Sequence, residues 1–462
     1  LLVLAAILAR CAAVLVLQSH NVPRSTYEHG EIAAKLLAGR GFAIHFLGAD
    51  GPTSQQAPIY PLIVAGAYAI GGVETPKALL LLELAQAVLG GSLVLGVMRL
   101  ARSIAPENRA SAFLAGALAA FHPTLVYAAT HVQVGGLATT LLVWTLVAAY
   151  RAGHTGRSRN ALLTGVLLAL LTLTDPILGL VFPGLVVAIA LGRHAAANAY
   201  RQTAHLAVLT AIAGAVGIAP WLIRNYLVHG ELVLIKSTFG YAFWQGNCRL
   251  SEGTDKVVRA SVDRAVERGR AANDLRGWNR SLWEARHQAG YIDDIALSRD
   301  EVKRLGCESE PERSRILFRR ALGDLAAEPG RYGRLCLRRL RYFLLFDETN
   351  PKSRSLIYRV SHVALSAIAL AGLSLVGRGP RRQLAPTILT AVLITLFHSL
   401  TIVSARFHLP LEPLFAIWGA VGLAPLPALA WHSWRRYRST TVAGDVERIG
   451  LEDRLGGLEL AG

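Results

Sequence analysis

The chain has 462 residues, 53% of them hydrophobic and only 17% charged, with a formal net charge of +17. That composition excludes a soluble multidomain protein, and the length excludes a simple single-anchor one. The basic excess would suit nucleic acid in a soluble chain. Here Arg gathers in short clusters between apolar runs, and no basic stripe interleaves with aromatics, so the partner is expected to be lipid headgroups and not nucleic acid.

The pattern predicts an all-α, polytopic membrane bundle. A membrane helix needs about 20 apolar residues. The opening run, "LLVLAAILARCAAVLVLQS", lacks a basic start and a small-residue cleavage site, so it is expected to be an uncleaved, N-terminally trimmed first span over 1–19. Further spans are predicted over 77–98, 110–129, 133–150, 161–174, 177–192, 203–227, 356–377, 384–404 and 409–431, about ten in all. The stretch 58–72 is short, has two prolines in its first turn and ends in Gly-Gly, so it reads as an interfacial or re-entrant helix. Between 161–174 and 177–192, Pro176 breaks the helix with Asp175 at the break, which predicts a tight hairpin.

Residues 229–354 form one large polar block with helical patterns such as "DKVVRASVDRAVERGRAAND", expected to cap the spans. The predicted organisation is therefore an N-terminal membrane module over 1–227 with a first external loop at 20–76, and an extracytoplasmic helical cap over 228–355. C-terminal membrane helices follow over 356–431, then a cytoplasmic tail over 432–462. Cys11 falls in the first span and Cys248, Cys307 and Cys336 in the polar block. A Cys248–Cys307 disulfide and free thiols both stay open, and no metal-ligand spacing is present.

With these spans, Arg99, Arg102 and Arg109, Arg151, Arg157 and Arg159, Arg193 and Arg201, Arg378, Arg381 and Arg382, and Arg435, Arg436 and Arg438 all fall on one side. The positive-inside rule makes that side the cytoplasm. Glu28, His29, Glu31, Gln55, Gln56, Asp175, Arg224, Lys236 and Arg406 then lie at or beyond the opposite surface. Ionisable groups at the edge of the apolar layer cost free energy unless they pair or face water, so their convergence marks a candidate site. The competing reading for Arg224 and Arg406 is contact with lipid headgroups. For Glu31 it is the N-terminal support of an interfacial helix in which Ser25, Glu28 and Glu31 share one face. Glu28 stands earlier, between Tyr27 and His29, where a partly dry pocket would make it a usable base.

The segments "YEHGEIAAKLLAGRGFAIHF", "GPTSQQAPIYPLIVAGAYAIGG", "PWLIRNYLVHGELVLIKSTFGYAFWQGN", "RLRYFLLF" and "ARFHLPLEPLFAIWGAVGL" occur in this order from Tyr27 to Leu423. Together they resemble membrane-embedded glycosyltransferases related to protein O-mannosyltransferases and lipid A aminoarabinose transferases, the glycosyltransferase family 39-like group. The resemblance implies transfer of a sugar from a polyprenyl-phosphate donor to a glycan, lipid or protein acceptor on the extracytoplasmic face of a bacterial inner membrane, and a single carboxylate base would make that a one-step displacement with inversion. Phosphate is a stable leaving group, so one carboxylate base and cations for the phosphate suffice.

In that frame Glu28 is the expected base, with Glu31 behind it and Asp175 third, while Arg224, Lys236, Arg341 and Arg406 are the expected phosphate ligands. For Arg341, one of several arginines in its helix, headgroup contact is the leading reading. His29, Gln55, Gln56 and Asp175 would touch sugar or acceptor. Where many relatives have Asp this chain has Ser25, and Ala57 replaces a basic residue that some relatives carry. The few surface carboxylates offer no dedicated metal cage, leaving room only for one loosely held Mg or Mn ion. The rival functions are a transporter or flippase of a lipid-linked or small polar substrate, and a polysaccharide polymerase or ligase.

Overall fold

The computed structural model describes residues 1–425 apart from Arg24, Ala195, Ala197 and Val258. Among the described residues, six helices are long and apolar enough to cross a membrane: Leu2–Asn21, Pro76–Ile104, Pro176–Arg193, Ala199–His229, Leu356–Leu375 and Arg378–Leu400. Arg109–Phe121 and Pro123–Thr130 make a seventh if taken as one span, although they bend by 54° at their junction. Pro123 supplies no amide to the preceding turn, so the run expected to be straight over 110–129 breaks there. The remaining expected runs are also helical but shorter or less apolar. They are Ser158–Thr172, Leu409–Leu423 and the 21-residue helix Gly135–Thr155, whose threonines dilute its apolar character. The end of the expected 409–431 run, the 432–462 tail and Arg435, Arg436 and Arg438 lie outside the described residues.

Helix Gly135–Thr155 is the hub of the bundle, with Leu142, Val143, Leu146, Ala149 and Tyr150 buried in the main apolar core. Helix Ala199–His229 instead exposes Val208, Ile212, Val216, Ile223 and Leu227, a face suited to lipid. Small residues let backbones approach where side chains could not fit. A Cβ on Gly422 would stand 2.0 Å from the carbonyl oxygen of Gly372, so helices Leu356–Leu375 and Glu412–Leu423 touch nearly backbone to backbone. Arg10 is buried in the first helix and donates to the carbonyls of Ala119 (3.2 Å) and Ala120 (2.9 Å). Those carbonyls close helix Arg109–Phe121, so a helix C-terminus supplies the partners that a charge in an apolar layer requires.

Outside this bundle the first loop folds as helix Tyr27–Leu37, a hairpin of strands Ala43–Phe46 and Ala49–Pro52, and helix Ile59–Gly71. The 13 residues of that last helix reach roughly 20 Å, short of a hydrocarbon layer. Strands depart from the all-α expectation, and they are small: this hairpin and the two-residue pair Lys256–Val257 with Gly290–Tyr291. The hairpin turn puts Leu47 (φ 46°) and Gly48 (φ 84°) in the left-handed region that a two-residue turn needs. A Cβ at Gly48 would also meet the Val302 carbonyl at 2.4 Å.

The polar block is helical as expected, running from Phe239–Asn247 through Ala260–Ala271, Leu275–Gln288, Ile292–Ala296, Arg299–Gly306 and Glu310–Ala327 to Pro329–Leu344. All four cysteines are free thiols.

Candidate active site

A clamp fixes the first loop to the cap before any cavity is formed. Glu310, 6% exposed, accepts from Thr53 Oγ1 (2.6 Å), the Ser54 amide (2.7 Å) and Ser237 Oγ (2.6 Å). Arg224 donates to the carbonyls of Thr53 (2.6 Å) and Phe42 (3.1 Å) and to Ser54 Oγ (3.1 Å). Its guanidinium also lies 4.8 Å from the Trp221 ring centroid. Ser54 Oγ completes the net by donating to Asn225 Oδ1 at 2.7 Å.

The residues just after this clamp, Gln55 and Gln56, turn into a cavity of about 840 Å³. Its wall brings together Glu28 and His29 from the first loop, Asp175 from the break between two membrane helices, Lys236 from the start of the polar block, and Arg406 from the turn before the last helix. These are seven of the ten sequence-predicted site residues, counting Gln55 and Gln56, and they come from four distant stretches of chain.

The other three do not line the cavity. Glu31 is spent on structure: Oε1 accepts from the His45 amide at 2.7 Å and pairs with Lys35 at 3.0 Å, tying helix Tyr27–Leu37 to the hairpin. Arg224 belongs to the clamp. Arg341 is half exposed and pairs with Glu348 at 2.8 Å. Ser25 precedes the helix and so does not share a helical face with Glu28.

Glu28 has no hydrogen bond or ion pair to any described residue, yet the Lys236, Tyr27, Tyr241 and Tyr291 side chains all feel its charge. Tyr27, at the helix start, has φ 49°, strained for an aromatic residue, and its ring stacks on Trp283 at 6.2 Å. Lys236 Nζ donates to Gln56 Oε1 at 3.0 Å. Burial lowers the Lys236 pKa, against which Asp175 and Glu28 pull it back up. Burial likewise raises the Asp175 carboxyl, whose Oδ1 accepts from the Ile177 amide at 3.3 Å. His29 is driven down to about 3 by burial and by the charges of Lys236 and Arg406, so near neutral pH it is an uncharged ring. His29 Nδ1 and Gln55 Oε1 are buried without a hydrogen-bond partner among the described residues, two polar atoms that face the cavity side unpaid.

Several wall residues escaped the sequence reading. Lys256, Arg286 and Lys352 join Lys236 and Arg406, so five cations face the cavity alongside the acids Glu28, Asp175, Asp255, Asp293 and Asp294. Arg286 donates to His131 Nε2 at 2.9 Å and lies 4.8 Å from the Trp283 ring centroid. Burial lowers Lys256 and takes Lys352 down to about 8, the latter despite the nearby charge of Glu412. Among the described residues, no three cavity acids or histidines bring their ligand atoms within 4.8 Å of one another. What the wall can do is accept one proton at a free carboxylate and hold an anion between several cations.

No protein family description and no curated protein matches the chain. Among solved structures, the archaeal oligosaccharyltransferase AglB from Archaeoglobus fulgidus, in complex with an inhibitory peptide and a dolichol-phosphate, aligns with a TM-score of 0.52 at 14% identity, over 96% of this chain. The apo oligosaccharyltransferase from Archaeoglobus fulgidus gives 0.51, again at 14% identity and over 96% of this chain. The chain spans about half the length of these proteins, 51% and 52%. ArnT from Cupriavidus metallidurans, bound to undecaprenyl phosphate, aligns over 91% of this chain and 77% of its own at 17% identity, with a TM-score of 0.41. The fold is thus shared with the part of the archaeal oligosaccharyltransferase AglB that aligns, about half of its length.

Proposed function

We propose that this chain transfers a sugar from a polyprenyl-phosphate donor to an acceptor hydroxyl on the extracytoplasmic side of a bacterial inner membrane. About ten crossings, counting the shorter apolar helices, would place the cap and the cavity on that side. The observation that carries the reading is Glu28, a carboxylate with no hydrogen bond or ion pair among the described residues, on one wall with Lys236 and Arg406. The dolichol-phosphate bound to AglB supports a polyprenyl phosphate as the ligand class.

In this mechanism Glu28 takes the proton of the acceptor hydroxyl as its oxygen attacks the anomeric carbon from the face opposite the phosphate. The bond from that carbon to the phosphate oxygen breaks, its electron pair leaves with the phosphate, and the configuration inverts. Lys236 and Arg406, with Lys256, Arg286 and Lys352 around them, hold the developing charge in a site with little water. Gln55, Gln56 and neutral His29 orient sugar and acceptor hydroxyls, and Asp175 balances Lys236.

Glu31, Arg224 and Arg341 have no role in this step, because their charged atoms are engaged away from the cavity. Purified protein given a radiolabelled polyprenyl-phosphate sugar separates this function from transport. Transfer to an acceptor supports it, and passage of the intact donor across a vesicle membrane without bond cleavage would overturn it in favour of a flippase. Growth of a long glycan on one lipid carrier would identify a polymerase.

A further inference from the structure

Behind the cavity lies a second polar cluster that the transfer reaction does not use. Glu412 opens helix Glu412–Leu423 and is 0% exposed, with His362 (1%), His408 (2%) and His122 (7%) around it. Glu412 Oε1 is 3.1 Å from His408 Nε2 and 3.8 Å from His362 Nδ1, and Oε2 is 3.2 Å from His122 Nε2. None of the four lines the cavity. They reach one point from the break at Pro123, from helix Leu356–Leu375 and from the turn before the last helix, so three remote segments meet there.

These atoms stand at ion-pair distance from one another, but not in good hydrogen-bonding geometry. Both carboxylate oxygens, His122 Nε2 and His362 Nδ1 are buried and lack a hydrogen-bond partner among the described residues. The reason is clearest at His362, whose Nε2 donates to the Leu344 carbonyl at 3.0 Å. A neutral ring with its proton on Nε2 turns a lone pair at Nδ1 towards the Glu412 lone pairs. Facing lone pairs in a dry interior repel unless a cation lies between them. A ring nitrogen held by a backbone carbonyl while the other is left bare is the usual arrangement of a metal-ligating histidine.

We propose that His362 Nδ1, His408 Nε2 and Glu412 Oε1 form a buried site for a divalent transition-metal ion of the Zn²⁺ class, with His122 orienting the other carboxylate oxygen. One ligand atom from each of these three residues lies within 4.8 Å of the other two. Ligands bound at 2.0–2.1 Å in a tetrahedron are roughly 3.3 Å apart, between the two Glu412 separations measured here. Two imidazoles and one carboxylate suit Zn²⁺ and its neighbours, whereas Mg²⁺ and Ca²⁺ take oxygen ligands. His408 is two residues from Arg406, so the ion would also stiffen the turn that presents Arg406, Phe407 and Leu409 to the cavity. Lys352, on the cavity side, feels the charge of Glu412 and packs 4.6 Å from the Tyr358 ring centroid; Tyr358 OH is 3.4 Å from His408 Nε2.

The test uses the full chain in detergent, stripped with a chelator, dialysed and titrated with Zn²⁺ or Co²⁺. About one ion per chain is expected by plasma mass spectrometry, with visible Co²⁺ absorption of low-coordinate type and a raised unfolding temperature. His362→Ala and His408→Ala should lose the ion, whereas Glu28→Gln should keep it. Wild-type protein that takes up neither ion at micromolar free concentration overturns the proposal, and needs no variant to fold. Full uptake by a folded His362→Ala/His408→Ala double variant overturns it as well.

Discussion

The clamp at Glu310 and the cavity at Glu28 use neighbouring parts of the same first loop and treat their polar atoms in opposite ways. In the clamp both Glu310 oxygens are bonded, and Arg224 finds four acceptors and two aromatic rings. In the cavity, among the described residues, Glu28 makes no hydrogen bond or ion pair, Arg406 lies 5.5 Å from the Phe407 ring centroid, and Gln55 Oε1 has no partner. A satisfied buried network holds a structure in place; an unsatisfied one has spare bonding capacity for a ligand. The residues that divide the two are adjacent in sequence, Ser54 in the clamp and Gln55 in the wall, so the clamp sets the register of the site.

The sharpest way to break this contrast is Glu28→Gln, which keeps shape and removes the proton acceptor. Sugar transfer is expected to fall by about 10²–10⁴-fold with donor binding retained. Wild-type turnover in this variant would move the base elsewhere, with Asp175 next. Glu310→Ala attacks the other side of the comparison. Three donors lose a charged partner in a buried place, which costs about 3 kcal/mol or more. The unfolding temperature should drop by several degrees, while Glu310→Gln should recover part of the loss. An unchanged unfolding temperature in Glu310→Ala would show that the clamp does not hold the loop.

Arg406→Ala ranks next. It removes one of five cavity cations, so kcat/KM for the donor should fall roughly 10–100-fold, with Arg406→Lys intermediate because a lysine cannot grip phosphate with two parallel bonds. The same substitution at Arg341, outside the cavity, should leave kcat/KM within about two-fold of wild type, as exposed ion pairs contribute little.

Much of this arrangement was legible one residue at a time. Apolar run length located the six helices long and apolar enough to cross a membrane, and the Pro176 break put Asp175 at a helix start. Glu28, Lys236 and Arg406 stood out because charge beside an apolar run is costly. Lys256, Arg286 and Lys352 did not, being three among 48 Lys and Arg residues in a chain whose polar block is basic along much of its length. What selects them is tertiary: a cap folded so that those three turn inward while Arg315, Arg319 and Arg320 pair with surface acids. Glu28 and Glu31 show the same limit, since three residues of spacing cannot say that the His45 amide will occupy one carboxylate and leave the other free. The bend at His122 was also missed, although Pro123 was there to signal it.

The smallest expected effect is in pH dependence, and it tests whether Lys352 belongs to the wall electrostatically. Its pKa, pushed down by burial to about 8, means that the empty cavity loses this cation as pH rises through that value. Only the protonated form attracts a phosphate. Affinity for a polyprenyl phosphate should therefore be level below the transition and decline by a few-fold above pH 8. Work above pH 7 keeps the second phosphate ionisation, near 6, from contributing. Lys236 and Lys256 are lowered too and add to the decline, while Arg286 and Arg406 stay charged throughout. Lys352→Arg fixes one charge and should flatten the curve without abolishing it. A wild-type curve that stays level to pH 10 would mean that the lysines do not meet the phosphate, leaving Arg286 and Arg406 as its only cationic ligands on this wall.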